Sequence, residues 1–199
     1  MVVMNRKNLR SLAAGVALLM AVGALAGCGG EKKADDSKKM VTVGIAQLVE
    51  HGALDAANKG FVAGMASKGF KENENVKYDR QNAQADQSNL QNIAQRFVSN
   101  KVDLICAIAT PTAQTMANAT KDIPIVATAV TDYEVAKLAA SNNEPKGNVT
   151  GTSDMNPIDQ QLELLLKIAP QTKNIGTVYS SSEVNSQLQV DVLKKLAGD

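Results

Sequence analysis

The chain has 199 residues, a formal net charge of +1, 44% hydrophobic and 3% aromatic residues, one histidine and two cysteines. That length holds one complete domain, or one domain and part of another. Near-neutral charge gives nucleic-acid binding no support, and a single histidine with no Cys/His cluster argues against a structural zinc site.

Arg6, Lys7 and Arg10 open the chain without an acidic residue, and the apolar run 12–26 follows. This run has the length of a signal-peptide core and is too short to span a bilayer. Leu25-Ala26-Gly27-Cys28 closes it with an apolar anchor, two small residues and a cysteine, and the four together resemble the lipobox of bacterial lipoproteins. Residues 1–27 are therefore expected to be a removable signal and Cys28 to be the lipid attachment site. The other reading is an ordinary secretory signal in which Cys28 is incidental. The first 27 residues carry three of the 21 Lys+Arg and none of the 20 Asp+Glu, which leaves the rest at −2. Residues 28–40 read as a flexible tether, too polar to order itself, whose Lys32, Lys33, Lys38 and Lys39 are solvated or touch anionic lipid. Cys106, inside the apolar run 104–109, reads as a small buried hydrophobe, so no disulfide within the chain is expected.

From residue 41 short apolar runs alternate with amphipathic ones: strands at 41–48, 76–81, 103–109 and 124–130, helices at 53–68, 88–100, 112–121 and 133–140. Strand followed by helix, repeated, predicts a parallel sheet with helices on both faces, a doubly wound α/β fold. Ile105, Ala107 and Ile108 fit a central strand covered on both sides. Leu54, Phe61 and Met65 predict the core face of the first helix, with Gly60 and Gly64 allowing close approach to the sheet. Leu90, Ile93, Ala94 and Phe97 do the same for the second, with Ser88 and Gln91 as a capping box.

After a turn-rich stretch, 141–147, the short segment 148–151 reads as a chain crossing. Asn156-Pro157 opens a helix on which Ile158, Leu162, Leu165 and Ala169 share a face, and Pro170 stops it. Residues 175–179 predict a strand and 184–197 a helix with Val184, Leu188, Val192 and Leu196 aligned. A lone helix-strand-helix cannot close a core, so Asp199 reads as a break inside an unfinished second lobe. The expected organisation is a signal at 1–27, a tether at 28–40, an N-terminal α/β lobe at 41–152 and an incomplete C-terminal α/β lobe at 153–199.

Five stretches carry a family likeness: residues 43–51 (VGIAQLVEH), 82–90 (NAQADQSNL), 109–111 (ATP), 129–132 (AVTD) and 148–154 (NVTGTSD). Together they resemble the substrate-binding lipoproteins of ABC importers, in the type I periplasmic binding fold, closest to the branch associated with tryptophan and related amino acids. The resemblance implies two doubly wound lobes that close on a ligand like a hinge, with Val149 to Thr152 as the first crossing. It departs from the family's pattern at Gly52, where a proline is usual, and at Tyr133, where a proline often follows the aspartate.

In an open parallel sheet, ligands bind beyond the carboxyl ends of the strands, where strand order reverses. There, Thr110-Pro111-Thr112 joins a buried strand to a helix start that favours an anion such as a ligand carboxylate, or else the two threonines merely cap the helix. Asp132, beside Thr131, receives a ligand ammonium or caps a helix. Gln47, Glu50 and His51 follow the first strand as candidate cleft residues, His51 having no nucleophile beside it. Asp154 touches ligand or serves the helix cap at Asn156; Ser181 and Asn185 face the cleft from the second lobe or belong to a capped loop.

No catalytic residue, metal or cofactor is expected. The function expected is an extracytoplasmic, lipid-anchored solute-binding protein that delivers a small amino-acid-like ligand to an ABC permease. A sensory component with the same fold is the alternative. An extracytoplasmic hydrolase has less support, because neither a Gly-x-Ser-x-Gly elbow nor a metal-ligand spacing occurs. Tryptophan, tyrosine and branched aliphatic amino acids all remain open as ligands, as do less related solutes.

Overall fold

The computed structural model of the protein describes residues 40–145 and 147–198. The segment 1–27, Cys28 and residues 29–39 of the tether lie outside the described residues. β1 (Val41–Gln47), α1 (Gly52–Ser67), β2 (Val76–Asn82), α2 (Gln87–Ser99), β3 (Leu104–Ile108), α3 (Thr110–Ala119) and β4 (Ile125–Val130) alternate close to the expected boundaries. A small antiparallel pair, β5 (Ala139–Ser141) and β6 (Glu144–Pro145), precedes β7 (Val149–Ser153), α4 (Ile158–Ile168) and α5 (Val184–Ala197). Five strands form one sheet in the order β2-β1-β3-β4-β7, every pair parallel.

Because successive strand residues face opposite sides, β1 and β3 split their side chains between two cores. Ala46, Ile105 and Ala107 pack with Leu90, Ile93, Ala94 and Phe97 of α2 and with Ala113 and Met116 of α3. Val43, Ile45, Cys106 and Ile108 form the opposite core, covered by Leu54, Phe61 and Met65 of α1. Gly44 faces α2, and a Cβ there would lie 2.7 Å from the Phe97 ring, so this glycine lets α2 rest on the strand. Burial pushes the Cys106 thiol up to about 12, which leaves it protonated and inert at neutral pH. Among the described residues no helix is long and apolar enough to cross a membrane.

Helix ends depart from the sequence pattern in instructive ways. Asp86, not Ser88, caps α2 by accepting from Asn89 N at 2.7 Å, since a carboxylate interacts with the N-terminal dipole more strongly than a hydroxyl does. His51 caps α1 in an extended conformation, with Nδ1 accepting from Ala53 N. Gly52 then occupies the first helical position, where its N–H has no intrahelical acceptor and a Cβ would meet nothing within 4 Å. Proline suits such a position, and the extended residue before it satisfies proline's steric demand. Gly52→Pro is expected to raise stability by about 0.4–1 kcal/mol through the unfolded chain, measurable as a higher denaturation midpoint at unchanged m-value.

Four further expectations fail. Gly60 and Gly64 are exposed and have open space where a Cβ would go, so they do not serve close approach to the sheet. Residues 133–140, expected as a helix, form a tight turn that leads into β5: Asp132 accepts from Val135 N, Leu138 N closes back on Tyr133 O, and Lys137 takes a left-handed φ of 59°. Residues 175–179 take no regular secondary structure and join no ladder, and a segment without a partner strand gains no sheet hydrogen bonds. With no sheet beside it, α5 buries Val190 and sets Leu193 in the groove with Ile158, Leu162 and Leu165 of α4, in place of the expected row Val184, Leu188, Val192 and Leu196.

Candidate functional site

β1 lies between β2 and β3, so the chain leaves β1 towards one edge of the sheet and returns to build the other. Strand order therefore reverses at the β1/β3 boundary, where open α/β sheets leave a crevice beyond the strand ends. Register places Gln47 opposite Ile108, and Ile108 opposite Thr128. One residue or two beyond that row come Leu48, Ala109-Thr110 and, after a bulge in β4, Val130-Thr131. Among the described residues the buried polar side chains are Gln47, Thr110, Thr112 and Thr131. All four belong to this rim, and all four were expected there.

Their hydrogen bonding separates them. Gln47 is satisfied within the protein: Nε2 donates to Val49 O at 2.9 Å and to Asp55 Oδ1 at 2.6 Å, and Oε1 accepts from Asn58 Nδ2 at 3.2 Å. It fastens the end of β1 to α1. The hydroxyls of Thr110 and Thr112, at 1% and 0% exposure, have no partner. A buried hydroxyl left unpaired costs roughly 1–3 kcal/mol, so two within one helical turn are a stored penalty that a ligand can relieve.

The same turn is strained and uncapped. Ala109 at the N-cap of α3 has φ 89° and ψ 152°, a region open to glycine and costly for alanine. Its methyl cannot accept a hydrogen bond, and α3 begins without a side-chain cap. Pro111 has no N–H, so the free donors of the first turn are the Thr110 and Thr112 amides beside their own hydroxyls. Four donors thus converge with the positive end of the helix dipole, the arrangement that favours a negative group at a helix N-terminus. Ala129, in the β4 bulge, and the pair Gln84-Ala85, after β2, also take left-handed φ values of 54°, 56° and 59°. Strained non-glycine residues thus gather beyond the ends of β2 and β3 and in the bulge of β4, a feature that no sequence pattern signals.

Asp132 is held by the turn that follows β4. Its Oδ1 accepts from Val135 N and its Oδ2 from Asn142 Nδ2, both at 2.7 Å, while Asn142 Oδ1 accepts from Tyr133 N. The side chain pins a turn at the rim. Tyr133 is buried, with its hydroxyl 2.9 Å from Ala127 O and 3.2 Å from Thr152 O. Burial pushes this phenol up to about 12, so it remains a donor across β4 and β7.

The remaining candidates spread outward. Glu50 shares an open hollow of about 410 Å³ with Gln47, Asp55, Asn58 and Arg80 on the β2 side of the rim. His51 is exposed and engaged as the α1 cap. Asp154 is exposed, its N–H donating to Val130 O, and α4 starts at Pro157 without a side-chain cap. Asn156 instead donates to Gln189 Oε1 on α5. Ser181 is exposed, and Asn185 Oδ1 is buried without a partner. The turn at Ser182 shares a hollow of about 400 Å³ with Pro111, Gln114 and Lys137, which brings this segment near α3 although the strand expected before it does not form. The structure thus unites Gln47, Thr110, Thr112 and Thr131 at one rim, Asp132 at its margin, and leaves His51, Asp154 and Ser181 on exposed surface.

A family model described as ABC transporter substrate binding protein matches residues 42–199. A curated relative from Clostridioides difficile, a tyrosine-binding protein, is 49% identical over 97% of this chain and 57% of its own length. A solved Streptococcus pneumoniae ABC domain in complex with L-Trp is 43% identical, with a TM-score of 0.77, over 80% of this chain and 54% of that one. A ligand-free, open substrate-binding protein with adhesive properties from Clostridium difficile is 52% identical, with a TM-score of 0.67, over 79% and 54%. The chain spans just over half the length of each of these relatives. Its five-stranded parallel sheet with helices is the doubly wound α/β lobe of type I periplasmic binding proteins.

Proposed function

We propose, from the premise that the chain belongs to the ABC transporter substrate-binding protein family, that it supplies one wall of an extracytoplasmic site for an aromatic amino acid, tyrosine or tryptophan. The observation that carries this reading is the uncapped first turn of α3, with two buried hydroxyls lacking partners. An amino-acid carboxylate offers the acceptors that Thr110 and Thr112 lack, and each charge-assisted hydrogen bond is stronger than its neutral counterpart. Asp132, a carboxyl side chain next to Thr131 in the chain, suits the ligand's ammonium. The choice of an aromatic side chain is supported by the tyrosine-binding relative and by the Trp-bound neighbour.

Delivery to an ABC permease and attachment to the membrane through Cys28 complete the proposed role. No bond is made or broken: the protein captures a solute, a second lobe covers it, and closure adds contacts from both sides. Leu25 to Cys28 support the anchor, and two signals for stable attachment would be the acyl chains added there. Calorimetry of the full-length protein against the proteinogenic amino acids tests the reading. Saturable heat with tyrosine or tryptophan, and a smaller radius of gyration on binding, are expected. No heat with any aromatic amino acid would sink it.

A further inference from the structure

We infer that the Ser153 hydroxyl is a positioning group that ties the ligand rim to the chain leaving the lobe, so that ligand contact at Thr131 and movement beyond Met155 are coupled through one atom. The inference rests on the functional reading above and extends it to a residue that contacts no ligand. Ser153 is the last residue of β7, directly opposite Val130 across the bulge of β4. Its Oγ donates to Thr131 O at 2.7 Å and accepts from Met155 N at 3.1 Å. One hydroxyl therefore holds the carbonyl of a buried rim residue and the first turn of the outgoing segment together.

The surroundings make this bond a control point. β4 does not run regularly into Thr131: its register to β7 shifts between Ala127 and Val130, and Ala129 takes a left-handed φ. A rim residue placed by a bulge depends on cross-strand bonds for its position. Beside the Ser153 bond, Asp154 N donates to Val130 O, and the Thr128 and Thr152 hydroxyls pair at 3.2 Å. Among the described residues, the Ser153 hydroxyl is the group that joins Thr131 to residues past the strand. Tyr133 supplies an internal control, because its hydroxyl bridges β4 and β7 through Ala127 O and Thr152 O without touching Thr131.

The experiment uses the full-length protein with L-tyrosine and L-tryptophan as probes. Ser153→Ala is expected to weaken binding about tenfold, through faster dissociation at an unchanged association rate, and Ser153→Thr to restore it. Tyr133→Phe is expected to lower the melting temperature while changing affinity less than twofold. Amide exchange at Met155 reports the bond independently of any variant, and ligand should slow it in the wild-type protein. The inference is overturned if Ser153→Ala binds as tightly as wild type, if it loses no more affinity than Tyr133→Phe, or if ligand leaves Met155 exchange unchanged. A wild-type protein that binds neither amino acid overturns the functional reading, and this inference with it.

Discussion

Replacing Thr110 or Thr112 by valine is expected to weaken amino-acid binding by the full-length protein about 10- to 100-fold while raising the stability of the unliganded protein. The two effects have one cause. Each hydroxyl is buried and unpartnered in the unliganded protein, so exchanging it for a methyl of similar size removes a desolvation penalty on the order of 1 kcal/mol. In the proposed complex the same hydroxyl donates to the ligand carboxylate, and hydrogen bonds to charged groups contribute roughly 1.5–3 kcal/mol. Affinity and stability therefore move in opposite directions, which a general packing defect would not produce. Titration calorimetry and thermal denaturation on the same preparations measure both. A valine variant that loses stability, or that keeps full affinity, would show that these hydroxyls have another role.

Gly151→Ala is expected to be the most damaging single methyl added to the lobe. The new Cβ would lie 1.9 Å from Ala127 O and 2.2 Å from the Tyr133 hydroxyl oxygen. The first of these is backbone in the neighbouring strand, so relief requires β7 to move away from β4. That movement breaks the ladder at Ala127–Gly151 and the Tyr133 bonds to both strands. Overpacking costs about 1–3 kcal/mol where side chains absorb it, and more where backbone must. A loss of at least about 3 kcal/mol, or a melting temperature lower by about 10 °C for a chain of this size, is expected. Gly64→Ala, on an exposed helix face with open space around it, serves as the control and should be neutral or stabilising through helix propensity.

The contrast between those two glycines indicates how far sequence reasoning reached. Both are glycines, yet only Gly151 meets neighbours: the Ala127 carbonyl of β4, and a tyrosine 18 positions away in a turn that the pattern assigned to a helix. Residues 133–140 carry a helical spacing, but Asp132 and Asn142 fold them into a turn and the start of β5 by side-chain bonds between residues ten apart. The first four strands and three helices were legible because period-2 and period-3.6 patterns record which face is buried, and burial on both faces of β3 left its uninterrupted apolar run. The segment 175–179 was misread for the opposite reason: strand composition states a preference that only a pairing partner can realise.

The site was legible to the same depth. Strand-end logic located Gln47, Thr110, Thr112 and Thr131, which proved to be the buried polar residues among those described. It did not distinguish Gln47, consumed by Asp55 and Asn58, from the threonines, which have nothing to bond. It also passed over Ser153, because a serine at a strand end carries no signal until the bulge opposite is known. The strained Ala109, Gln84 and Ala85 escaped for a simpler reason: left-handed backbone is announced in a sequence by glycine or asparagine, and none stands at those positions.

The most direct test of the cradle is the preference of the full-length protein for L-tyrosine over tyramine, which lacks only the carboxylate, measured in wild type and in Thr110→Val by titration calorimetry. If the first turn of α3 holds the carboxylate, wild type should bind tyrosine far more tightly than tyramine, and the variant should lose at least tenfold of that preference. An identical preference in both proteins would place the carboxylate elsewhere and contradict the assignment of the cradle.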